Sequence, residues 1–168
     1  HLVDLGHRDM GFVSGPKTNI SSQKRHETFV NALADHGLKL RPEMVVEGAF
    51  TYESGMVAGK ELLSRAQPPT AIFAANDEMA FGVMNVADAM GLKIPEHLSV
   101  VGFDGTRFST FVIPSLSTIT RKTDEMASLA TQKLLAQIEQ GSEAADEFET
   151  LVSPRFLPRE STGPAPAA

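Results

Sequence analysis

The sequence predicts an α/β fold: a parallel sheet with helices on both faces. Three observations lead there. Short apolar runs alternate with longer stretches of helical periodicity, in the order β-α-β-α-β-α-β, up to Phe103. Two of those runs, Ala71-Ile72-Phe73-Ala74-Ala75 and Leu98-Ser99-Val100-Val101-Gly102-Phe103, carry no charge, as strands covered on both sides do. A helix between successive strands supplies the right-handed crossover that parallel neighbours need.

Each element has its own signal. Leu2 and Leu5 stand three apart and Gly6 suits the residue just past a helix end. His1–Gly6 is therefore expected to be the last turn of a helix that starts outside the chain; the alternative is a frayed terminus. Met10-Gly11-Phe12-Val13 is a strand ended by Ser14-Gly15-Pro16. Ser21 or Ser22 caps a helix with Phe29 and Leu33 on one face, closed by Gly37. Met44-Val45-Val46 is the next strand, ending near Phe50, and Glu53 to Ala66 reads as a helix. Beyond the Ala71–Ala75 strand, Asp77 caps a helix with Met79, Val83, Val86 and Met90 at helical spacing, stopped by Gly91. Leu98–Phe103 is again a strand. After Asp104 the rhythm breaks, and Phe108, Phe111, Val112 and Ile113 fall in an irregular stretch. Leu116–Thr120 reads as a strand, and Thr123 caps a long helix through Met126, Leu129, Leu134, Leu135 and Ile138 to Gly141. Thr150-Leu151-Val152 and Arg155-Phe156-Leu157 are short strands, and residues 163–168 read as a disordered tail.

Composition removes several function classes. The 168 residues suffice for one domain burying roughly 70% of its unfolded surface. No run approaches a membrane span, and no basic-then-apolar leader is visible. A net charge of −6 with no Lys/Arg cluster makes the chain a poor nucleic-acid binder by itself. The absence of Cys excludes disulfides, thiol catalysis and Cys-bound zinc. There is no G-x-S-x-G, Walker A or G-x-G-x-x-G pattern, so no cofactor is called for. The five histidines (His1, His7, His26, His36 and His97) lack metal spacing and read as surface residues. Asp77 and Asp104 can in principle form an acid/base pair, but nothing marks a nucleophile or a metal, and the chain is not expected to be an enzyme.

In open α/β sheets ligands bind outside the carboxyl ends of the strands. Arg25, Phe50, Asn76 and Asp104 fall there. Carboxylate, amide and guanidinium groups suit a polyhydroxyl ligand, with an aromatic face for the apolar side of a sugar ring. Each has a plainer alternative: Asn76 and Asp77 as helix caps, Asp104-Gly105 as a turn, Phe50 as core, Arg25 as a solvated surface residue.

These residues also carry a resemblance. His1-Leu2-Val3-Asp4-Leu5-Gly6-His7, Gly11-Phe12-Val13-Ser14-Gly15-Pro16, Arg25, Pro69–Ala80, Leu98–Asp104, Pro114–Ile119 and Arg159-Glu160-Ser161-Thr162 together resemble the LacI/GalR family of bacterial transcriptional regulators. The resemblance implies part of a periplasmic-binding-protein-like (type I) effector-binding domain, incomplete at its N-terminus. It divides the chain into residues 1–115 of the C-terminal lobe, 116–141 as a crossover strand and helix belonging to the missing N-terminal lobe, 142–162 as the return, and the tail 163–168. It implies Arg25, Phe50, Asn76, Asp104 and Arg121 as effector contacts. Thr28 and Gly105 depart from the family pattern, as does Arg121-Lys122 where many members carry Gln-Pro. It implies a homodimer, with Met79, Val83, Met90, Val112 and Ile113 as interface candidates, although the methionines can equally be core. It implies a cytoplasmic protein that contacts operator DNA only through the missing headpiece and binds no membrane. The effector expected is a sugar, sugar acid or sugar phosphate, and two cations, Arg25 and Arg121, favour an acidic one unless Asp124 neutralises Arg121. A periplasmic sugar-binding protein of an ABC transporter shares the fold and is the alternative.

Overall fold

The structure is a computed structural model that describes residues 1–140 and 152–167. Its centre is a six-stranded sheet. The strands are β1 (Met10–Ser14), β2 (Val45–Glu47), β3 (Ala71–Ala74), β4 (Ser99–Asp104), β5 (Ser117–Thr120) and β6 (Arg155–Leu157), in the order β2-β1-β3-β4-β5-β6. All pairs are parallel except β5 with β6, which is antiparallel. Four helices join them: α1 (Ile20–Asp35), α2 (Tyr52–Leu63), α3 (Asp77–Ala89) and α4 (Thr123–Gln140). Right-handed crossovers put α1 on one face and α2 and α3 on the other.

Side-chain alternation along the strands feeds both faces. Phe12 and Phe73 are paired in register, and both rings pack on Phe29 of α1. On the other face Gly11 leaves room for Leu62 of α2 and Ile72 of β3. Glycine matters most where α2 and α3 cross. A Cβ on Gly55 would lie 2.3 Å from the Met79 carbonyl oxygen, and one on Gly82 would lie 2.2 Å from that of Tyr52. Backbone meets backbone there, which no larger residue permits.

The caps differ from the sequence reading. Asn19, not Ser21 or Ser22, caps α1, its side chain accepting from Ser22 N. Asn76, not Asp77, caps α3, accepting from Met79 N. The second helix starts at Tyr52 because Thr51 and Ser54 form a reciprocal capping box. Met44 ends a short 3-10 turn rather than starting β2.

The strand assigned to the absent lobe belongs here: Ser117–Thr120 pairs with β4 on one side and β6 on the other. The chain leaves the sheet after Thr120. Along α4, residues 123–138 are exposed or at most half-buried, with Leu134, Leu135 and Ile138 all exposed. Gly141 and most of the Thr150–Val152 strand lie outside the described residues.

The tail reading is overturned for residues 163–167. Ala165 N donates to Leu5 O, and Gly163 is buried between Ser99 and Pro95. His7 closes this junction and is fully buried, against the surface reading made for the histidines. Its Nε2 lies 3.1 Å from the Gly163 carbonyl, which can only accept, so Nε2 carries the proton and Nδ1 accepts from the Thr70 hydroxyl at 2.8 Å. The segment before it has the hydrogen bonds of a helix end: His7 N donates to Leu2 O and Gly6 N to Val3 O, with Gly6 at φ +92°. Leu2 and Val3 border an apolar groove of about 240 Å³ that also touches Phe73, Val101, Ile119 and Phe156 of the sheet.

Candidate functional site

The connection from β1 leads outward to β2, and the next one returns past β1 to β3. That reversal is a topological switch point, the place where sheets of this kind form a crevice, at the carboxyl ends of β1 and β3. Around it stand the three non-glycine residues with positive φ among the described residues: Phe50 (62°), Asp104 (126°) and Lys122 (50°). Such backbone is costly, by about 1–3 kcal/mol each, and collects where side chains must be aimed.

Arg25 comes from the second turn of α1 and is half-buried. Its Nη1 donates to Ala75 O at 2.6 Å, and its Cζ lies over the Phe103 ring, 3.8 Å from the centroid. Burial disfavours its charge and lowers its pKa; Asp104 opposes that and Arg121 adds to it. Phe50 follows β2, and its ring sits over Gly15 so closely that a Cβ there would lie 2.1 Å from Cζ. The Phe50 carbonyl accepts from Asn76 Nδ2 at 2.9 Å. Asn76 thus ties the loop after β2 to the start of α3 while capping that helix, and these two bonds use one N–H and one lone pair of its amide.

Asp104 ends β4 with its side chain 22% exposed, and Oδ1 lies 3.1 Å from Arg121 Nε. Burial raises its pKa; Arg121 and Arg25 pull it back, while Asp77 and Glu78 add to the rise. Arg121 is therefore neutralised by Asp104, not by Asp124. Gly105 follows at φ +68°, where a Cβ would strike Thr120.

Asp77 sits beneath this layer with no exposed surface. Its carboxylate accepts from Thr106 N, the Thr106 hydroxyl and the Thr118 hydroxyl, and Gly102 leaves the room for it. Burial raises its pKa, and those hydrogen bonds oppose the rise. It braces the loop after β4 against β5. A group so enclosed meets no substrate, so the acid/base pair with Asp104 does not form a reaction site. Among the described residues no cluster of His, Asp and Glu is arranged to hold a metal.

Of the five residues singled out in the sequence, Arg25, Asp104 and Arg121 are charge neighbours, and Asn76, next to the Ala75 that accepts from Arg25, holds the Phe50 carbonyl. Sequence reasoning missed Phe103, the floor under Arg25, and the Thr106–Asp77–Thr118 brace. Phe103 sits inside an apolar strand run, which gave no signal of a role beside Arg25.

The interface candidates divide. Met79 and Val83 are fully buried where α2 packs on α3, Val83 against Gly59 and the Met79 sulfur against Gly48, and they are core. Met90 is 43% and Ile113 96% exposed, and Val112 is half-buried. Val112 and Ile113 border a groove of about 780 Å³ with Tyr52, Phe81 and Met84.

The fold is a parallel-sheet lobe whose loops after β1, β3 and β4 gather at one end of the sheet. Residues 1–162 match the periplasmic binding protein-like domain, and the chain belongs to that family. It is 37% identical over 161 residues to a probable HTH-type transcriptional repressor ExuR of Bacillus subtilis, covering 96% of this chain and 48% of that protein. The dimeric Lac repressor with an 11-residue C-terminal deletion superposes with a TM-score of 0.90 at 31% identity, over 99% of this chain and 59% of the other. The transcriptional regulator CelR in complex with cellobiose superposes with a TM-score of 0.84 at 29% identity, over 95% and 48%. The chain spans about half the length of the curated relatives it matches.

Proposed function

We propose that this chain is the ligand-sensing lobe of a LacI-type transcriptional regulator, and that its crevice holds one face of a sugar or sugar derivative. The observation that carries this is the convergence of Arg25, Phe50, Asn76, Asp104 and Arg121 at the switch point of a parallel sheet, in a chain whose relatives are HTH-type repressors. Phe50 offers a flat apolar surface, and Asp104, Asn76 and Arg25 offer acceptors and donors for hydroxyls. A second lobe, outside this chain, covers the crevice, and the apolar side of α4 rests on it. Closure around the effector changes the spacing of DNA-binding headpieces across a homodimer, a two-state coupling between separate sites. The dimer forms through the groove of Tyr52, Phe81, Met84, Val112 and Ile113, with Met90 at its edge. The protein acts in the cytoplasm and catalyses no reaction.

An operator-shift assay on the intact protein tests this. A specific operator complex is expected, shifted by a small polyhydroxyl molecule, and residues 1–168 alone are expected to bind no operator. Specific operator binding by residues 1–168 overturns the proposal, as does an intact protein that ignores every carbohydrate.

A further inference from the structure

We infer that Asp77 is a positioning residue of the crevice: through Thr106 and Thr118 it fixes the turn Asp104–Thr106 and so aims the Asp104 carboxylate at the bound molecule. The inference rests on the effector-site reading above and deepens it; Asp77 itself touches no ligand. The turn is backbone that does not hold itself. Asp104 has φ +126° and Gly105 φ +68°, two successive residues in a region that L side chains rarely adopt. Such backbone persists only where its surroundings over-determine it. Gly105 N donates to the Thr118 hydroxyl at 3.3 Å, and that hydroxyl donates to Asp77 Oδ1. Thr106 N and the Thr106 hydroxyl both donate to Asp77 Oδ2, at 2.7 and 2.9 Å. Gly105 and Thr106 are thus tied to one carboxylate, the first through a hydroxyl and the second directly.

The helix that carries Asp77 does not need it there. Asn76 caps α3, and Glu78, exposed in the same first turn, already complements the helix dipole. Asp77 and Thr118 nevertheless have no exposed surface. A Cβ on Gly102 would lie 2.5 Å from Asp77 Oδ1, so β4 carries glycine where the carboxylate reaches in. A carboxylate can only accept, and its burial is strongly unfavourable unless donors surround it. Here three donors do, and all three belong to the loop after β4 and to β5. Arg159 supplies the opposite charge. Its Nη1 donates to Ser109 Oγ at 2.9 Å and to Leu116 O at 2.6 Å, while Ser109 Oγ donates to Thr106 O. Thr106 is held from both sides, its N–H and hydroxyl by Asp77 and its carbonyl by Ser109. Asp104 stands immediately before this anchored stretch, at the end of β4.

The test is calorimetric titration of the intact protein and its variants with glucose, galactose, glucuronate and galacturonate, using the tightest binder as the probe. Asp77→Ala is expected to weaken that probe about tenfold, the loss of a well-aimed charged hydrogen bond. In an Asp104→Ala background the same substitution is expected to change affinity little, because the group it positions is already gone. Thr118→Val, which keeps the shape and removes the hydroxyl, is expected to weaken the probe about three- to tenfold, and Thr118→Ser to bind as the wild type does. The threonine pair decides alone should Asp77→Ala not fold. Equal losses from Asp77→Ala in both backgrounds, or a Thr118→Ser as weak as Thr118→Val, would mean general loosening of the lobe and overturn the inference. A probe lost in Asp104→Ala but untouched by Asp77→Ala and Thr118→Val overturns it too and leaves the effector site standing. Binding that Asp104→Ala does not alter, or no binding by any of the sugars, overturns both.

Discussion

Asn76 does two jobs that the sequence presented as alternatives. It caps α3 and lies at the crevice, and its amide also holds the Phe50 carbonyl. Asn76→Ala is therefore expected to lower stability by about 0.5–2 kcal/mol, the usual cost of a lost cap, as well as to weaken ligand binding. Urea denaturation checks the first part; an unchanged midpoint would show that the cap is dispensable. His7 gives a pH prediction. Its pKa is lowered from 6.5, chiefly by burial, with the hydrogen bond to Gly163 opposing. A depressed folded-state pKa means that the neutral form is preferred on folding. Its contribution is present above about pH 6.5 and is lost as pH falls through the lowered value. Urea midpoints between pH 8 and 5 are expected to decline more steeply in the wild type than in His7→Gln. Parallel curves would remove His7 as the cause. Asn76 and Asp104 were legible because polar residues directly after apolar runs lie at strand ends, and Arg25 because it falls early in the helix after β1. Phe103 was not, since a phenylalanine inside a strand reads as core whichever face it takes. His7 was not, because its partners Thr70, Ser99 and Gly163 are far away in sequence.

Every described strand core and helix has its source in a local pattern, and the errors fall at ends. The Asn19 cap lost to Ser21 and Ser22 in the reading because all three are good capping residues, and only backbone geometry chooses among them. β6 was legible as a strand but not as an antiparallel one, since pairing direction depends on where the chain returns. Nor did periodicity reveal that Met79 and Val83 are core, because an apolar stripe looks alike whether it meets a sheet or a partner. The α2–α3 crossing supplies an element-scale prediction. On an exposed helix Gly→Ala stabilises by about 1 kcal/mol. At Gly55 or Gly82 the added methyl meets backbone that cannot yield, so Gly55→Ala and Gly82→Ala are expected to destabilise by about 1–3 kcal/mol. Melting or urea curves decide; a gain in stability would mean that the helices can part freely.

At the scale of the whole molecule, the parts that do not pack on one another point outward to other structures. Ile113 is almost wholly exposed beside the groove of Phe81 and Met84, and α4 presents Leu134, Leu135 and Ile138 to solvent. Residues 1–168 are expected to self-associate through these surfaces, as large exposed apolar patches do. In light scattering, Ile113→Glu combined with Leu134→Glu and Ile138→Glu is expected to shift the chain towards monomer; a wild-type chain that is already monomeric at high concentration would contradict both surface assignments. The parallel sheet was readable from the alternation of elements, but its strand order and the place of β5 were not. A sequence marks where a strand lies, not which sheet it joins. The claim on which the account depends is that the crevice at the strand ends is where a small molecule is sensed, with Asp104 at its centre. Calorimetry of the intact protein and of Asp104→Ala, with the molecule that alters operator binding, tests it most directly. The account predicts a loss of about 1.5–3 kcal/mol, roughly ten- to a hundredfold in affinity, with the melting curve unchanged. Equal affinity in the two proteins would place the sensing site elsewhere.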